Sequence, residues 1–267
     1  MNSKKVQFLE KILRLMAVLI LKRHNPKIVA VSGSVGKTFA KNAIFAVLSS
    51  KFNVRKNKRR HSDKIGLPLS IIGVEDDVKG IVGWLVVGLK WLFVLISPKY
   101  PEILILELGI YGQGDMTYMM TFMEPYVGAV TNISEKNLEN FKTVDNIAKE
   151  QRKLVESIDE SGFVILNADD EKVSAMAERT KAKVITIGSD EKFSVSASNI
   201  SHNYDGDRPD GISFKLNYDG NNIPIRLRNM QTPYSVYTAL IATAIGIIFK
   251  MNLVEIGQAI EEIRLTE

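Results

Sequence analysis

Apolar positions along the chain fall into two kinds of run. Short, almost uniform stretches occur at Ile28 to Val31, ILILEL from Ile103 to Leu108, VGAVTN from Val127 to Asn132, FVILN from Phe163 to Asn167 and KVITI from Lys183 to Ile187. Between them lie segments with helical spacing, the clearest from Lys37 to Ser50, Val144 to Ile158 and Asp170 to Arg179. Strands that are apolar on both faces belong inside a sheet covered on both sides, so the alternation predicts an α/β fold with a mostly parallel sheet flanked by helices. Such sheets carry their ligands at the carboxyl ends of the strands.

The period changes between Phe193 and Leu227. The segments VSASNI, ISFKLNY and IPIRL alternate and are broken by DGDRPDG and DGNN, which predicts a small antiparallel sheet on one side of the domain. Two helices, Pro233 to Phe249 and Leu253 to Ile263, close the pattern, with no internal repeat. The expected organisation is a basic, apolar helix within residues 1–25 followed by one domain over 26–267.

Two further apolar stretches raise the question of a membrane. Phe8 to Leu21 is short, begins among Lys4, Lys5, Lys11 and Arg14, and is closed by Lys22 and Arg23. The run GIVGWLVVGLKWLFVLI ends at Ile96 and carries Lys90. Both fall short of the roughly 20 apolar residues that span a bilayer. Attachment at the membrane interface, with Trp84 and Trp91 at the boundary, and packing against protein are equally good readings of these stretches.

Composition narrows the function classes. A chain of 267 residues has room for one or two domains. It has no cysteine, which excludes disulfides and thiolate metal sites and fits a reducing cytoplasm. The net charge of +5 hides an asymmetry: residues 1–64 hold 16 Lys and Arg against Glu10 and Asp63, and the remainder holds 19 against 28. A basic N-terminal region attracts phosphates, anionic lipid or nucleic acid. Nucleic acid is the least favoured partner, because no recognition module accompanies the densest patch, KNKRR from Lys56 to Arg60.

The candidate chemistry begins at Gly33-Ser34-Val35-Gly36-Lys37-Thr38, which follows a strand and opens a helix. In that context glycines let backbone N–H groups approach phosphates, Lys37 reaches the β- and γ-phosphates, and the Thr38 hydroxyl binds Mg²⁺. The generic loop has a further glycine where this chain has Val31. Glu107 ends an apolar strand, where an unpartnered charge is costly; a magnesium ion shared with Thr38 satisfies it. Asn132 and the run Asn167-Ala168-Asp169-Asp170 stand at two more strand ends on the same rim.

These residues resemble the Mur ligase family, ATP-dependent enzymes that join an amino acid or dipeptide to a nucleotide-linked peptidoglycan precursor. The resemblance is carried by VSGSVGKT at 31–38, KIGLPLSIIG at 64–73, ILELGIYGQGD at 105–115, TNISEKNLENF at 131–141 and ILNADD at 165–170. It covers residues 26–265, the central ATPase domain, and is strongest to members that add D-alanyl-D-alanine. It implies ATP and Mg²⁺ as cofactors, Gly33, Ser34, Gly36, Lys37 and Thr38 as the phosphate loop, and Glu107 as a magnesium ligand. Asn132 then lines the reaction centre, and Asn167 with the acidic pair Asp169 and Asp170 lies near the adenosine. The implied reaction passes the γ-phosphoryl group to a carboxylate, and an amine then displaces phosphate.

Departures from the family pattern qualify this picture. Where the family has an H-L-E triplet near a second magnesium, this chain has Asn137-Leu138-Glu139, and the lysine that the family carbamylates to hold that metal aligns with Gln151, flanked by Lys149 and Lys153; Gln151 cannot be carbamylated, so the first-metal site is expected intact and the second degraded. The family's H-N-x-x-N run appears as Tyr234-Ser235-Val236-Tyr237-Thr238. The resemblance includes neither the nucleotide-sugar domain nor the amino-acid-binding closing domain, so the first expectation is an ATP-binding core that works with a separate closing-domain protein. The second is an inert homologue acting as a nucleotide-binding or membrane-associated scaffold. A different P-loop enzyme explains GSVGKT alone and not the other motifs. The expected location is the cytoplasm, with peripheral contact at the inner face of the membrane.

Overall fold

In a computed structural model the described residues are 3–228 and 232–263. The ends of the expected domain and helix, at residues 1–2 and 264–267, lie outside them. One nine-stranded sheet organises the chain. In chain order its strands are β1 (Lys27–Ser32), β2 (Val54–Lys56), β3 (Ile103–Glu107), β4 (Val127–Val130), β5 (Phe163–Asn167), β6 (Lys183–Gly188), β7 (Val195–Asp205), β8 (Arg208–Tyr218) and β9 (Asn221–Leu227). Their spatial order is β2-β3-β1-β4-β5-β6-β7-β8-β9, parallel as far as β7 and antiparallel from β7 to β9.

The uniform apolar strands still obey a period of two, because each face meets a different helical layer. In β1, Val29 and Val31 join one core while Ile28 and Ala30 join the other; in β3, Ile103 and Ile105 part from Leu104 and Leu106 in the same way. The first core is closed by α2 (Lys37–Ser49), α9 (Pro233–Ile248) and α10 (Leu253–Glu261). The second is closed mainly by α1 (Ser3–His24), α3 (Gly66–Ile72), α4 (Gly80–Ile96), α5 (Asp115–Met120) and α7 (Val144–Glu156). Two four-residue helices, α6 (Leu138–Phe141) and α8 (Glu171–Ser174), lie beside α7 and β5.

The antiparallel strands expected on one side of the domain are β7 to β9, and β7 pairs with β6 through Ile187 and Val195, so they extend the main sheet. Two expectations are corrected. The expected helix from Asp170 to Arg179 is only α8 followed by a 3-10 turn from Ala175 to Arg179. Thr131 and Asn132 leave β4 to turn back over the phosphate loop, which shortens that strand.

Burial separates structural from uncommitted apolar residues. Ile105 on β3 is fully buried between the sheet and its first helical layer, whereas Leu85 on α4 is 64% exposed. Ile105→Ala should therefore cost about 2–5 kcal/mol, and Leu85→Ala should stay within about 0.5 kcal/mol of the parent. Urea unfolding of the two variants checks both, and a comparable loss in each would contradict this division of the core.

Candidate functional site

The loop from Gly33 to Gly36 joins the carboxyl end of β1 to the amino end of α2. Gly33 has φ +127°, and a Cβ there would stand 2.1 Å from Thr131 Oγ1. Only glycine combines that backbone with that closeness. Gly36, at φ +84°, turns the chain into α2, so the free N–H groups and partial positive charge of a helix N-terminus face the loop.

Neighbouring strand ends brace this turn. The Ser34 N–H donates to Asn132 O at 2.9 Å, the Val35 N–H donates to Asn132 Oδ1 at 3.0 Å, and Asn132 Nδ2 donates to Val35 O at 2.9 Å. Thr131 Oγ1 donates to the same carbonyl at 2.6 Å. Asn132, expected to line the reaction centre, therefore lies beside the loop with its amide engaged in holding it. Lys37 Nζ folds back to donate to Gly33 O at 2.7 Å. Burial lowers its pKa to about 8; Glu107 opposes the shift, and Lys136 and Arg59 reinforce it by repulsion.

Glu107, at the end of β3, is 4% exposed. Thr38 Oγ1 lies 3.0 Å from both of its carboxylate oxygens, and Lys41 Nζ lies 2.8 Å from Oε2. Its backbone is clamped by Asn57, which accepts from Glu107 N at 2.8 Å and donates to Glu107 O at 3.0 Å. The carboxylate thus meets its cost of burial through a buried lysine and a hydroxyl. The Thr38 hydroxyl and Glu107 form a hard oxygen pair beside a phosphate loop, a donor set that fits one Mg²⁺ completed by phosphate oxygens and water. Lys41 and Asn57 were not singled out in the sequence. A signal existed for Lys41, which shares a helical face with Ile44 and Leu48, both fully buried, so a cation there needs an acid in reach.

A second cation finds no comparable donors. Gln151, 4% exposed, accepts with Oε1 from Ser32 Oγ and from the Gly33 N–H at 3.1 Å. The expected weakness of that position is thereby explained: the amide braces the phosphate loop. Lys153 pairs with buried Glu150 at 2.7 Å, whose other oxygen caps the start of α5 through Gly114 N and Met116 N. Lys149 and Glu139 are exposed, and Asn137 Nδ2 donates to Ile110 O at 3.2 Å. Among the described residues no group of three or more His, Cys, Asp or Glu side chains is placed to hold a metal ion.

Beside the loop opens a cavity of about 410 Å³ whose lining includes Gly36, Asn132, Asn167, Asp170, Tyr234 and Tyr237, a volume in the range of small-ligand pockets. Asn167 Nδ2 donates to Thr131 O at 3.0 Å, and Asp170 accepts from Ile133 N at 2.7 Å and Val173 N at 3.1 Å. Tyr237 donates to Asp169 Oδ2 at 2.9 Å; burial and then this bond push its phenol up to about 12. The structure thus brings every expected site residue to one rim, with Tyr237 added as the partner of Asp169.

Removing Lys41 leaves Glu107 charged, buried and short of its cation. Lys41→Ala should lower unfolding free energy by about 3–5 kcal/mol, and Lys41→Met combined with Glu107→Gln should recover most of that loss. Denaturant titration decides it; a cost in the single variant no larger than at an exposed lysine would refute the pairing.

Comparisons with known proteins bear on the family and the fold. The family model of the Mur ligase middle domain matches residues 31–246. The UDP-N-acetylmuramoyl-tripeptide–D-alanyl-D-alanine ligase of Bacillus subtilis is 26% identical over 158 residues, which cover 59% of this chain and 30% of the relative. The UDP-N-acetylmuramate–L-alanine ligase of Caldicellulosiruptor bescii is 28% identical over 186 residues, 69% of this chain and 38% of the relative. Among solved structures, MurF from Acinetobacter baumannii overlays with a TM-score of 0.78 at 20% identity, covering 97% of this chain and 51% of that one. The MurF ligase from Thermotoga maritima in complex with ADP overlays with a TM-score of 0.74 at 19% identity, covering 96% and 52%. The chain spans about a third of the length of these curated relatives and about half of these solved chains. On the match across residues 31–246, the chain belongs to the Mur ligase family, as its middle domain.

Proposed function

We propose that this chain is the Mg-ATP-binding core of a Mur-type ligase that activates a carboxylate for amide formation in peptidoglycan synthesis. The observation that carries the reading is the juxtaposition of the Gly33–Thr38 loop with Glu107 and the nucleoside-sized cavity on one sheet edge. In this reading the N–H groups of Gly36, Lys37 and Thr38 at the α2 N-terminus receive the phosphates, and Lys37 leaves the Gly33 carbonyl to meet the β/γ-oxygens. Asn167 and Asp170 border the nucleoside. Thr38 and Glu107 hold Mg²⁺, which when bound neutralises charge on the phosphoryl oxygens. Asn132 and Gln151 keep the loop from rearranging as charge develops, and Lys136 and Arg59 add positive potential at Lys37.

The proposed chemistry balances in two steps. A substrate carboxylate oxygen bonds the γ-phosphorus as the bond to the ADP oxygen breaks. An amine nitrogen then bonds the acyl carbon as the carbon–oxygen bond to phosphate breaks and the amine loses a proton. A carboxylate needs this activation because oxide is not a viable leaving group, and positioning with electrostatics supplies the catalysis. The carboxylate donor is proposed to be a nucleotide-linked cell-wall precursor and the amine an amino acid or dipeptide. Residues beyond the matched segment, in this or a separate closing-domain polypeptide, are proposed to hold them. Work in the cytoplasm, where ATP is made, follows from the same reading.

A second reading is a homologue that binds nucleotide without ligating and serves as a scaffold. Gln151 favours it, since its amide is committed to Ser32 and Gly33 where the family is expected to hold a second metal.

Calorimetric titration of Mg-ATP tests the core claim. Lys37→Ala should weaken binding about ten- to a hundredfold, the range for a hydrogen bond to a charged group; equal binding by parent and variant would remove Lys37 from the site. Formation of amide product with precursor, amine and the closing domain supplied separates the first reading from the second. Binding should also depend on pH. Free Lys37 titrates near 8, and bound phosphate favours its charged form and raises that value. Affinity should therefore be level below about pH 8 and fall as pH rises beyond it, with proton uptake on binding. Titrations near pH 8.5 in buffers of different ionisation enthalpy would show the uptake, and its absence would contradict the assignment.

A further inference from the structure

Helices α1 and α4 leave apolar stripes uncovered. On α1, Phe8, Ile12, Leu15 and Leu19 are 38–66% exposed, while Leu13, Ala17 and Ile20 are buried. On α4, six of the exposed residues are Ile81, Leu85, Leu89, Leu92, Phe93 and Ile96, and only Val87 and Val94 are buried. The spacings repeat at three and four residues, so each helix has a core side and an apolar solvent side. The two helices are fixed to one another: Trp91 Nε1 donates to Met16 O at 3.1 Å, and His24 Nε2 lies 2.9 Å from Val94 O. Their buried sides enter the same core, so the pair forms one layer. Uncovered apolar surface of this kind marks an interaction site.

Charge identifies the partner. On α1, Lys11 stands one turn before Leu15, Lys22 two turns after it, and Arg23 one turn after Leu19; all three are exposed. They lie along the apolar stripe, while the single acidic residue of α1, Glu10, lies one turn before Leu13 on the buried side. Helix α4 carries no acidic residue, and exposed Lys79 and Lys99 flank its two ends. Of the acidic residues just before α4, Glu75 and Asp77 are engaged by Lys58 at 3.6 Å and Arg60 at 3.1 Å. Among the described residues no helix is long and apolar enough to cross a membrane. A 17-residue α4 laid flat is about 26 Å long, enough to seat its stripe at the headgroup boundary with lysines reaching anionic headgroups. We infer that the α1–α4 layer docks this chain on the surface of an anionic bilayer. The phosphate loop lies at the carboxyl edge of the sheet rather than under this layer, so docking leaves the nucleotide site open.

Co-sedimentation with vesicles of phosphatidylcholine alone, and of phosphatidylcholine mixed with phosphatidylglycerol, tests the inference. The parent should bind the mixed vesicles and release as salt is raised. Binding should fall about tenfold or more in Leu85→Glu/Leu89→Glu/Phe93→Glu and in Lys11→Glu/Lys22→Glu/Arg23→Glu, since each basic residue near an anionic surface contributes to adsorption. All six side chains are exposed, so far-UV circular dichroism and Mg-ATP titration should match the parent in both variants. Failure of the parent to bind, equal binding by parent and variants, or equal binding to neutral vesicles would overturn it. So would a concentration-dependent dimer, dissolved by the Leu85/Leu89/Phe93 variant, in a chain that ignores vesicles.

Discussion

A carboxylate buried at the end of β3, one strand in from the sheet edge, governs the arrangement around it. Glu107 sits where the sheet would otherwise be apolar, and desolvation of its charge must be offset locally. The offset draws in Lys41 and Thr38 from α2 and Asn57 from the loop after β2. Those contacts set the height of α2 against the sheet, and with it the position of the loop that opens α2. The basic patch from Lys56 to Arg60 is thereby more than solvated surface: Asn57 clamps the Glu107 backbone, Lys56 donates to Asn42 at 2.8 Å, and Arg60 pairs with Asp77.

The loop is held just as firmly from the other side. Asn132, Thr131 and Gln151 give it neutral hydrogen bonds, whereas Lys37 supplies a cation only partly charged at mildly alkaline pH. In the proposed reading this division suits a site that accepts several negative charges without moving: amides fix geometry, and one lysine, a helix terminus and one cation would carry the electrostatics. Gln151 belongs to the bracing, since its carbonyl oxygen serves Ser32 and Gly33. On the same proposal the centre would hold one metal ion.

Much of this was legible before any coordinates. Five of the seven parallel strands, the glycine loop, Glu107 and the rim at Asn132 and Asn167 each leave a local signature, because a uniformly apolar run ending in a polar residue admits few interpretations. What stayed hidden depended on distant partners. The three-residue β2 is too short to show a period, and β7 has no signal that it pairs with β6 rather than only with β8. Gln151 read as a loss until the structure supplied Ser32 and Gly33 as its partners. The helix expected at Asp170 starts there, capped by the Asp170 bond to Val173 N, but tightens into a 3-10 turn after Ser174, and the second Asp170 bond, to Ile133, is a long-range contact that spacing does not reveal. The apolar runs of α1 and α4 were visible, but only their opposite buried and exposed sides separate a core helix from a docking one.

The central claim is that the Glu107 cluster and the braced loop form a cradle for a nucleotide triphosphate and one cation. A crystal structure with Mg²⁺ and a non-hydrolysable ATP analogue tests it most directly. The account predicts phosphates on the N–H groups of Gly36, Lys37 and Thr38, Lys37 Nζ moved from the Gly33 carbonyl to a phosphate oxygen, one ion on Thr38 and Glu107, and Gln151 still bonded to Gly33. Nucleotide bound elsewhere with Lys37 unmoved, or Gln151 swung out to a second ion, would contradict it.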